Sequence, residues 1–293
     1  MSARQATPAQ AVRSVAVYTH RRPEVAHDLV QLLRELAERF GVELRFDPDE
    51  TEKHRLAETG GGALKPSASD GRSADLCVVL GGDGTTLRTL RAYAGTGIPV
   101  FSVNCGRVGF LATVDRDHAA EGLERALTGS FDVLDLPCLE LAGDERRFAL
   151  NEVSFQRGEH TNVAHISYAL AGQEVARAPC DGLIGSTPLG STAYNLSVGG
   201  PILAWDLEGF VVSMVAPHAL SVRSVVAAPD DVLSVVNEGS EPVGIVLDGM
   251  PTGTLAPGGR SEVSFRAHAV GLAQLPGFTF YSRFKEKLRL LTG

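Results

Sequence analysis

The pattern of apolar segments changes near residue 133, and this change constrains the fold of the 293-residue chain more than any other feature. Before it, short apolar strands alternate with segments of helical spacing, which is typical of a parallel sheet with helices on its faces. After it, short strands are separated by turns alone. The sequence therefore predicts an α/β N-terminal domain with a parallel sheet, followed by a mostly antiparallel, all-β C-terminal domain.

Helical and strand periods define the elements of the first part, residues 1–132. Pro23 suits the first turn of a helix, apolar residues repeat at helical spacing from Val25 to Phe40, and Gly41 is typical of the position after a helix. Helical spacing also predicts a helix at 118–127. Short apolar runs predict four strands, at 14–18, 42–46, 75–80 and 98–103.

The second part, residues 133–276, contains short strands and turn residues. Segments 133–141 and 147–155 flank Gly143-Asp144 and predict a hairpin. Further strands are predicted at 232–236, 243–247 and 261–266.

The sequence GGDGT, residues 81–85, lies between a predicted strand and a stretch of helical spacing. Ligands of α/β folds bind at the carboxyl ends of strands, and the amides of Gly82, Gly84 and Thr85 would suit phosphate oxygens at a helix N-terminus. A carboxylate repels phosphates, so Asp83 either helps to hold a divalent cation or accepts a proton from an attacking hydroxyl. The structural alternative is an Asp-Gly turn in which Asp83 only caps the helix.

A second glycine-rich run, DGLIGSTPLGSTAYNLSVGGP at 181–201, contains five glycines and six hydroxyl-bearing side chains. Glycines let the backbone approach a ligand, and the hydroxyl groups supply hydrogen bonds. The run is either a loop-rich connector of the β-domain or a binding segment. The upstream GGDGT element favours binding.

Together these motifs resemble those of the ATP-dependent NAD kinases, whose superfamily also contains diacylglycerol kinases and 6-phosphofructokinases. GGDGT alone indicates only the superfamily, whereas Asn151-Glu152 and the GSTAY sequence are specific to NAD kinases. The markers follow in order as GGDGT at 81–85, NCGRVGFL at 104–111, LNEV at 150–153, the run at 181–201, APHAL at 216–220 and LDG at 247–249.

The resemblance implies transfer of the γ-phosphoryl group of ATP to the 2′-hydroxyl of the adenosine ribose of NAD, which gives NADP. Phosphoryl transfer depends mainly on positioning and charge neutralisation. Asp83 is the implied base or orienting group, while Gly82, Gly84 and Thr85 face the phosphates. Mg²⁺, or another divalent cation, is expected to arrive with ATP, and no protein-only metal site is expected. Inorganic polyphosphate is an alternative donor.

The resemblance also implies a set of NAD-binding residues. Asn151 would bind the adenine edge, Glu152 a ribose hydroxyl or a metal ion, and Asp181 ribose hydroxyls. Tyr194 would add a ring face to the wall of the site. The full predicted NAD-binding set is Asp83, Gly84, Phe110, Asn151, Glu152, Asp181, Thr192, Ala193, Tyr194, Ser197 and Asp248.

Structural alternatives stay open for several of these residues. Asn151 and Glu152 could be a solvent-facing polar pair at a strand end. Asp248 fits a hairpin turn nearly as well as a binding role, and Phe110 fits a core position. His218 is either structural or functional.

Positive charge near the phosphates has no motif of its own, because the chain contains neither GxxxxGK[ST] nor GxGxxG. Besides magnesium, the candidates are Arg88, Arg107 and Arg223. Arg107 is the first choice because it adjoins a glycine turn, although each of the three could equally be a surface arginine.

Two residues depart from the family pattern. Leu189 stands where Thr or Ser is usual, which puts one ligand-facing hydroxyl in doubt. Ser224 stands where Pro is usual, and this change is expected to alter only a loop.

The remaining segments are read from their composition. Segment 47–73 combines three consecutive glycines with many charges and is interpreted as a mobile connection and a candidate flap over the nucleotide. Residues 277–293 contain Phe280, Phe284 and Leu288 at helical spacing. The resemblance implies that they return to the first domain; the alternative is a terminal helix on the β-domain. It also implies a homodimer or homotetramer built largely through the β-domain.

Composition excludes several classes of protein. The net charge of −8 and pI near 5.5 disfavour nucleic acid as a partner. No apolar run approaches the ~20 residues that span a membrane, and the first residues lack the apolar core of a signal peptide, so we expect a soluble cytoplasmic protein. Four scattered cysteines suggest buried small hydrophobes rather than a zinc site.

Two other functions fit parts of this pattern. One is a kinase of the same superfamily that acts on a lipid or sugar hydroxyl. The other is a non-catalytic pyridine-nucleotide sensor. The intact GGDGT and the Asn151-Glu152 pair favour an NAD kinase over both.

Overall fold

In a computed structural model the chain divides into two units, Met1–Asp135 with Val270–Gly293, and Leu136–Ala269. The structure describes residues 12–54, 74–106, 109–143, 147–158, 163–277 and 279–285. In chain order the elements are β1 (Ser14–Thr19), α1 (Pro23–Phe40), β2 (Glu43–Phe46), α2 (Pro48–Lys53), β3 (Leu76–Gly81), α3 (Asp83–Tyr93), β4 (Val100–Asn104), β5 (Val114–Asp115), α4 (Ala119–Leu127), β6 (Asp132–Leu141), β7 (Arg147–Ala149), β8 (Glu152–Gln156), β9 (Ala164–Leu170), β10 (Gln173–Cys180), β11 (Gly182–Ser186), α5 (Tyr194–Ser197), β12 (Phe210–Val215), β13 (Val225–Ala227), β14 (Val232–Asn237), β15 (Val243–Leu247), β16 (Met250–Leu255) and β17 (Arg260–Gln274).

A parallel sheet forms the centre of the first unit. Strands β2, β1, β3 and β4 lie side by side in this order, and each neighbouring pair is parallel. β5 and the end of β17, at Leu272, also pair with β4 in parallel. The chain passes from β1 to β2, which lies on one side of β1 in the sheet, and later to β3, which lies on the other side of β1. The carboxyl ends of β1 and β3 therefore border a topological switch point, where α/β sheets bind ligands.

Helices cover both faces of this sheet. Val78 of β3 lies in one core cluster with Leu33 of α1 and Leu123 of α4. On the opposite face, the Cys77 thiol and the Tyr93 hydroxyl of α3 are hydrogen-bonded. The predicted α/β class of the first part is confirmed.

Helix α1 begins and ends at the predicted residues. Pro23 occupies its first turn, and Gly41 follows its end with a φ of 67°, a value that glycine adopts without steric cost. The predicted apolar positions Val25, Leu32 and Phe40 are only half-buried. The helix buries a wider stripe than one row of residues. Its buried residues are Ala26, Leu29, Val30, Leu33, Leu36 and Ala37.

A short helix lies where the sequence predicted only a mobile connection. Asp47 caps α2, because its Oδ1 accepts a hydrogen bond from the Glu50 amide at 2.8 Å. The side chain of Glu50 is buried. The prediction for 47–73 is therefore wrong over its first residues. This helix has mostly charged side chains and no apolar period, so the sequence pattern did not indicate it. Residues 55–73 lie outside the described residues.

Two antiparallel sheets pack face to face in the second unit. One has the order β10, β9, β14, β17, β6, β7, and the other β13, β12, β11, β8, β15, β16. Leu233 and Phe155, one from each sheet, belong to a single core cluster. A Cβ at Gly185 of β11 would lie 3.1 Å from Leu233, so the sheets are closely packed there. The predicted antiparallel β class of the second part is confirmed.

The strand predicted at 147–155 is in fact two strands in different sheets. β7 continues the hairpin from β6, whereas β8 pairs with β11 and β15. The break falls at Leu150 and Asn151, whose amides donate to the Asp248 carboxylate instead of to a neighbouring strand. A single apolar run thus crosses from one sheet to the other.

Several strands were missed in the sequence. β11 lies inside the glycine-rich run, and its glycines are needed for close packing: a Cβ at Gly182 would lie 2.4 Å from the Phe155 carbonyl oxygen. The hairpin of β9 and β10 was also missed, and the strand predicted at 261–266 extends over Arg260–Gln274.

The described part of the C-terminal segment belongs to the first unit. Residues 280–285 are helical, and the rings of Phe280 and Phe284 stack with 5.8 Å between centroids. The Arg283 guanidinium donates to the Ala112 carbonyl oxygen, so this segment packs on the α/β unit as predicted. Leu288 lies outside the described residues.

Among the described residues, no helix is both long enough and apolar enough to cross a membrane.

Candidate functional site

In the first unit, a surface cavity lies at the switch point between β1 and β3. The His20 amide, just after β1, donates to the Leu80 carbonyl oxygen of β3 at 2.8 Å, which brings the two strand ends together. The cavity has a volume of about 260 Å³. Its lining residues are His20, Arg21, Gly82, Gly84, Thr85 and Arg88.

Three of the predicted phosphate-binding residues, Gly82, Gly84 and Thr85, line this cavity. Gly82 is the N-cap of α3, and the Thr85 and Thr86 amides both donate to its carbonyl oxygen at 3.0 Å. The Thr85 amide is thus already bonded within the first turn, so the prediction that it faces a phosphate is wrong. The amides that precede it at the start of a helix lack intrahelical acceptors and attract anions. Arg107 lies outside the described residues.

Asp83 is the first residue of α3, but it does not cap this helix. Its Oδ2 accepts a hydrogen bond from the Phe110 amide at 2.8 Å and its Oδ1 one from the Leu111 amide at 3.1 Å. A Cβ at Gly109 would lie 2.1 Å from Asp83 Oδ1, so only glycine permits this approach. The carboxylate therefore binds the turn at 109–111. A carboxylate has about four acceptor positions, so these two bonds leave it able to accept another.

Sequence reasoning missed His20 and Arg21 as lining residues. The predicted Arg88 is exposed and lines the same cavity, whereas the Arg223 guanidinium donates to its own loop at the Leu220 carbonyl oxygen. A signal was present, because His20 and Arg21 directly follow the first predicted strand. The strand order that brings them beside GGDGT cannot be read from local sequence.

In the second unit, Asp248 holds the chain at Asn151 and Glu152. Its Oδ2 accepts from the Leu150 amide at 3.0 Å, and its Oδ1 accepts from the amides of Asn151 at 2.7 Å and Glu152 at 3.2 Å. Asp248 adopts a φ of 49°, an uncommon conformation outside glycine. Its carboxylate thus positions the predicted adenine-binding and ribose-binding residues.

The opposite side of Asn151 contacts the glycine-rich run. The Asn151 carbonyl oxygen accepts from the Thr187 amide at 2.9 Å and from the Ser186 hydroxyl at 3.2 Å. A Cβ at Gly190 would lie only 2.1 Å from that oxygen. The Thr187 hydroxyl donates to the Leu150 carbonyl oxygen at 2.5 Å. Asn151-Glu152 and the glycine-rich run of this unit therefore form one hydrogen-bonded structure.

Glu152 carries a buried carboxyl group with a raised pKa. Its residue is only 8% exposed, and its Oε2 has no hydrogen-bond partner among the described residues. Burial first, and the charge of Asp248 second, raise the pKa of Glu152 to about 7, against a weaker opposing effect of the Tyr194 amide. Such a group can accept a hydrogen bond from a ligand hydroxyl.

The other predicted NAD-binding residues lie nearby in the chain with different surroundings. Thr192, Ala193 and Tyr194 are half-buried, whereas Ser197 is exposed. The Asp181 carboxylate is half-exposed and forms a salt bridge with Arg157 at 2.9 Å. Asp181 is thus already partly neutralised by a residue that sequence reasoning did not identify.

Ser224 has a larger role than the predicted loop change. Its hydroxyl lies 2.8 Å from that of Ser213, which donates to the buried Asn195 Oδ1 at 2.8 Å. Asn195 in turn donates to the carbonyl oxygens of Ser191 and Pro201 and so closes the glycine-rich loop. The expectation for Ser224 was therefore wrong, because its hydroxyl extends a buried chain of hydrogen bonds.

The two remaining candidates do not line the described cavity. Leu189, which stands in place of the usual hydroxyl residue, is buried. His218 is exposed, and its amide donates to the Pro179 carbonyl oxygen at 2.8 Å.

Within the described ranges, no group of three or more His, Cys, Asp or Glu side chains could hold a metal ion. The four cysteines are free, and three of them are buried.

Family models match most of the chain. Residues 27–131 match the ATP-NAD kinase N-terminal domain, and residues 150–274 match the ATP-NAD kinase C-terminal domain. The NAD kinase of Heliobacterium modesticaldum is 38% identical over 226 residues, which cover 74% of this chain and 80% of the relative. The NAD kinase 2 of Streptomyces avermitilis is 34% identical over 250 residues, which cover 83% of this chain and 80% of the relative.

Solved structures share the fold. Yeast NADH kinase complexed with NADH has a TM-score of 0.83 at 22% identity and covers 95% of this chain and 88% of that chain. An NAD kinase from Archaeoglobus fulgidus in complex with ATP has a TM-score of 0.70 at 24% identity and covers 94% of this chain and 96% of that chain.

Glu152 predicts a pH-dependent stability. Its pKa is about 7 in the folded chain against an ordinary value of 4.5, so folding favours its protonated form. The contribution of this carboxyl to the free energy of unfolding is fully present below about pH 4.5 and is lost as the pH rises to about 7. Relative to wild type, Glu152→Gln should therefore gain roughly 1–3 kcal/mol of unfolding free energy between about pH 5 and pH 8.

Urea unfolding of both proteins at the two pH values measures this gain. Glu241→Gln, at an exposed glutamate of the same unit, controls for the change in net charge. A difference between wild type and Glu152→Gln that does not vary with pH would contradict the assignment.

Proposed function

Because this chain belongs to the NAD kinase family, we propose that it transfers the γ-phosphoryl group of ATP to the 2′-hydroxyl of the adenosine ribose of NAD, forming NADP. The observation that carries this proposal is the match of both family domains, with GGDGT at the switch point of the first unit and Asn151-Glu152 held against the GSTAY run in the second.

The first unit is proposed to hold the phosphates and to activate the hydroxyl. Gly82, Gly84 and Thr85 present the start of α3 to the cavity, and Arg88 adds positive charge. Asp83 accepts the proton of the 2′-hydroxyl or orients this hydroxyl, through an acceptor position that the turn at 109–111 does not use. Phe110, whose amide binds Asp83, is proposed to contact NAD, as is Gly84.

The second unit is proposed to bind the dinucleotide. The Asn151 side-chain amide can form hydrogen bonds with the adenine edge, and Glu152 Oε2 can accept a hydrogen bond from a ribose hydroxyl. The Asp181 carboxylate accepts hydrogen bonds from ribose hydroxyls, and these compete with its salt bridge to Arg157. The remaining proposed contacts are Thr192, Ala193, Tyr194 and Ser197, with Asp248 acting through the backbone it positions.

A divalent cation, Mg²⁺ in the first instance, is proposed to enter with ATP rather than through a protein-only site. It would supply charge neutralisation to the phosphates. The cavity residues fit this arrangement, since backbone amides and arginine there suit phosphates rather than a bare metal ion. Arg107, outside the described residues, stays a predicted phosphate contact.

The alternatives are less well supported. A lipid or sugar kinase of the superfamily would not require Asn151-Glu152 and the GSTAY run, which the NAD kinase domain models cover. A sensor without turnover would not require an acceptor position on Asp83.

Formation of NADP from NAD and Mg-ATP by the purified protein, detected with an NADP-specific dehydrogenase, tests the proposed function. NADP that appears in step with ADP supports it. Saturable NAD binding without any NADP would favour the sensor, and ADP formed only with a lipid or sugar acceptor would favour the other kinases. Replacing ATP with inorganic polyphosphate in the same assay determines the donor.

We also propose a symmetric homodimer or homotetramer in the cytoplasm, as the sequence resemblance implies. Light scattering at micromolar concentration measures the assembly, and a particle of 31.0 kDa, the mass of one chain, would contradict it.

Asp83→Asn should lower turnover by about 10²–10⁴-fold, the usual effect of losing a positioned base. The change also costs stability, because the amide group of Asn keeps one acceptor oxygen and places a donor beside a backbone N–H of the 109–111 turn. Affinity for NAD should be retained if the second unit binds most of the ligand. Steady-state kinetics with a direct measurement of NAD binding test both statements.

Asp75→Asn is the matched control for this stability cost. Asp75 Oδ2 likewise accepts from two consecutive amides, those of Arg13 and Ser14, both at 2.9 Å, but Asp75 lies at the amino ends of β1 and β3, opposite to the GGDGT end. Asp75→Asn should lose stability and keep its turnover. Near-normal turnover in Asp83→Asn would refute the catalytic role.

Gly109→Ala should lower turnover by about tenfold or more, because its Cβ would lie 2.1 Å from Asp83 Oδ1 and force the carboxylate or the turn to move. Gly106→Ala, in the same loop, meets no described atom within 4 Å and should have little effect. If Gly109 acts through Asp83, the double variant Asp83→Asn with Gly109→Ala should lose much less turnover than the product of the two single fold-losses. Independent, multiplying effects would contradict this link.

A further inference from the structure

A buried group of charged side chains in the first unit lies outside the family motifs. It consists of Glu50 and Lys53 of α2, His54 after this helix, and Thr19 at the end of β1. The Glu50 side chain is 4% exposed and that of His54 3% exposed, and Thr19 is fully buried. Lys53 Nζ forms a salt bridge with Glu50 Oε1 at 2.5 Å.

All three partners of this group converge on the Thr19 hydroxyl. Thr19 Oγ1 lies 2.6 Å from Glu50 Oε2, 2.7 Å from His54 Nε2 and 3.2 Å from Lys53 Nζ. A hydroxyl donates one hydrogen bond and accepts two. Its proton goes to the Glu50 carboxylate, the shortest of the three contacts, and it accepts from Lys53 and from His54.

The state of His54 agrees with this assignment. Burial lowers the pKa of His54 more strongly than the Glu50 carboxylate raises it, so the ring is neutral and carries one proton. That proton is on Nε2, since Thr19 has already used its own. The hydroxyl of Thr19 is therefore fully bonded and held in one orientation.

Thr19 lies directly before the residues that line the phosphate side of the cavity. His20 and Arg21 follow it in the chain, and both line the cavity with Gly82 and Gly84. The His20 amide also donates to Leu80 of β3. The backbone that carries His20 and Arg21 is thus fixed on one side by the sheet and on the other by the Thr19 hydroxyl.

Stability alone does not account for this group. Burial of a charged pair has a desolvation cost that its attraction seldom exceeds, and apolar side chains of similar size often replace such a pair without loss. Buried polar groups, however, allow only arrangements that satisfy every hydrogen bond, and so they define one geometry. Such a constraint is useful where a strand end must present side chains to a ligand.

We propose that Glu50 is a positioning residue for the phosphate donor: through the Thr19 hydroxyl, its carboxylate fixes the His20–Arg21 edge of the cavity against the phosphate chain of a nucleoside triphosphate. This inference rests on the proposed function, because it takes the cavity as the donor side of the kinase. Arg21 is exposed and lines the cavity, and a fixed backbone limits the positions that its guanidinium can reach, which lowers the entropy lost when it binds an anion.

The test compares KM values for the two substrates. Glu50→Gln and Thr19→Val each break the convergence on Oγ1, and each should raise the KM for Mg-ATP about tenfold while the KM for NAD stays within about twofold. Thr19→Ser keeps the hydroxyl and should restore most of the wild-type value. Glu52→Gln is the matched control, because Glu52 is exposed on the same helix and should leave both KM values unchanged.

Three results would overturn the inference in an active protein. One is an unchanged KM for Mg-ATP in folded Glu50→Gln and Thr19→Val. Another is an equal rise in both KM values, and the third is loss of the folded state in both variants, since the network would then serve the fold as a whole. Failure of the proposed function is distinct, because the wild-type protein itself would then form no NADP.

Discussion

The Asp83 carboxylate, bonded to two consecutive backbone amides of the turn at 109–111, is the interaction on which the site of the first unit depends. Charge-assisted bonds of this kind are about twice as strong as neutral ones, so they define the conformation of a loop that has no regular structure. The second unit uses the same arrangement, with Asp248 bonded to the amides of residues 150–152. In both units one aspartate thus orients the backbone of a motif that is distant in sequence.

These arrangements are costly, and the costs lie at the proposed sites. Asp248 holds a positive φ, and Glu152 is buried with one oxygen unpartnered among the described residues and a pKa of about 7. Glu50 is a buried charge, and its ion pair adds little to the stability of the core. Strain and unsatisfied polar groups of this kind cluster where proteins bind ligands, because binding rather than folding uses them. The proposed function assigns a role to each of the three.

Local patterns predicted the fold class, helix α1 from Pro23 to Gly41, and the motifs of the site. They did not reveal that the run at 147–155 splits between two sheets, because the cause is Asp248, almost 100 residues away. They did not predict β11, because its glycines indicate a loop. Only the structure shows that the Phe155 backbone packs against Gly182 and requires a glycine there. The position of His20 beside GGDGT follows from strand order, which no local window contains.

The most direct test of the account is a crystal structure of this protein with NAD bound. We expect the adenosine 2′-hydroxyl oxygen to lie about 2.6–3.2 Å from an Asp83 carboxylate oxygen, the range needed for proton transfer. The amides of Phe110 and Leu111 should still donate to that carboxylate. A 2′-hydroxyl that makes no contact with Asp83 would contradict the account, because the carboxylate would then serve only to hold its turn.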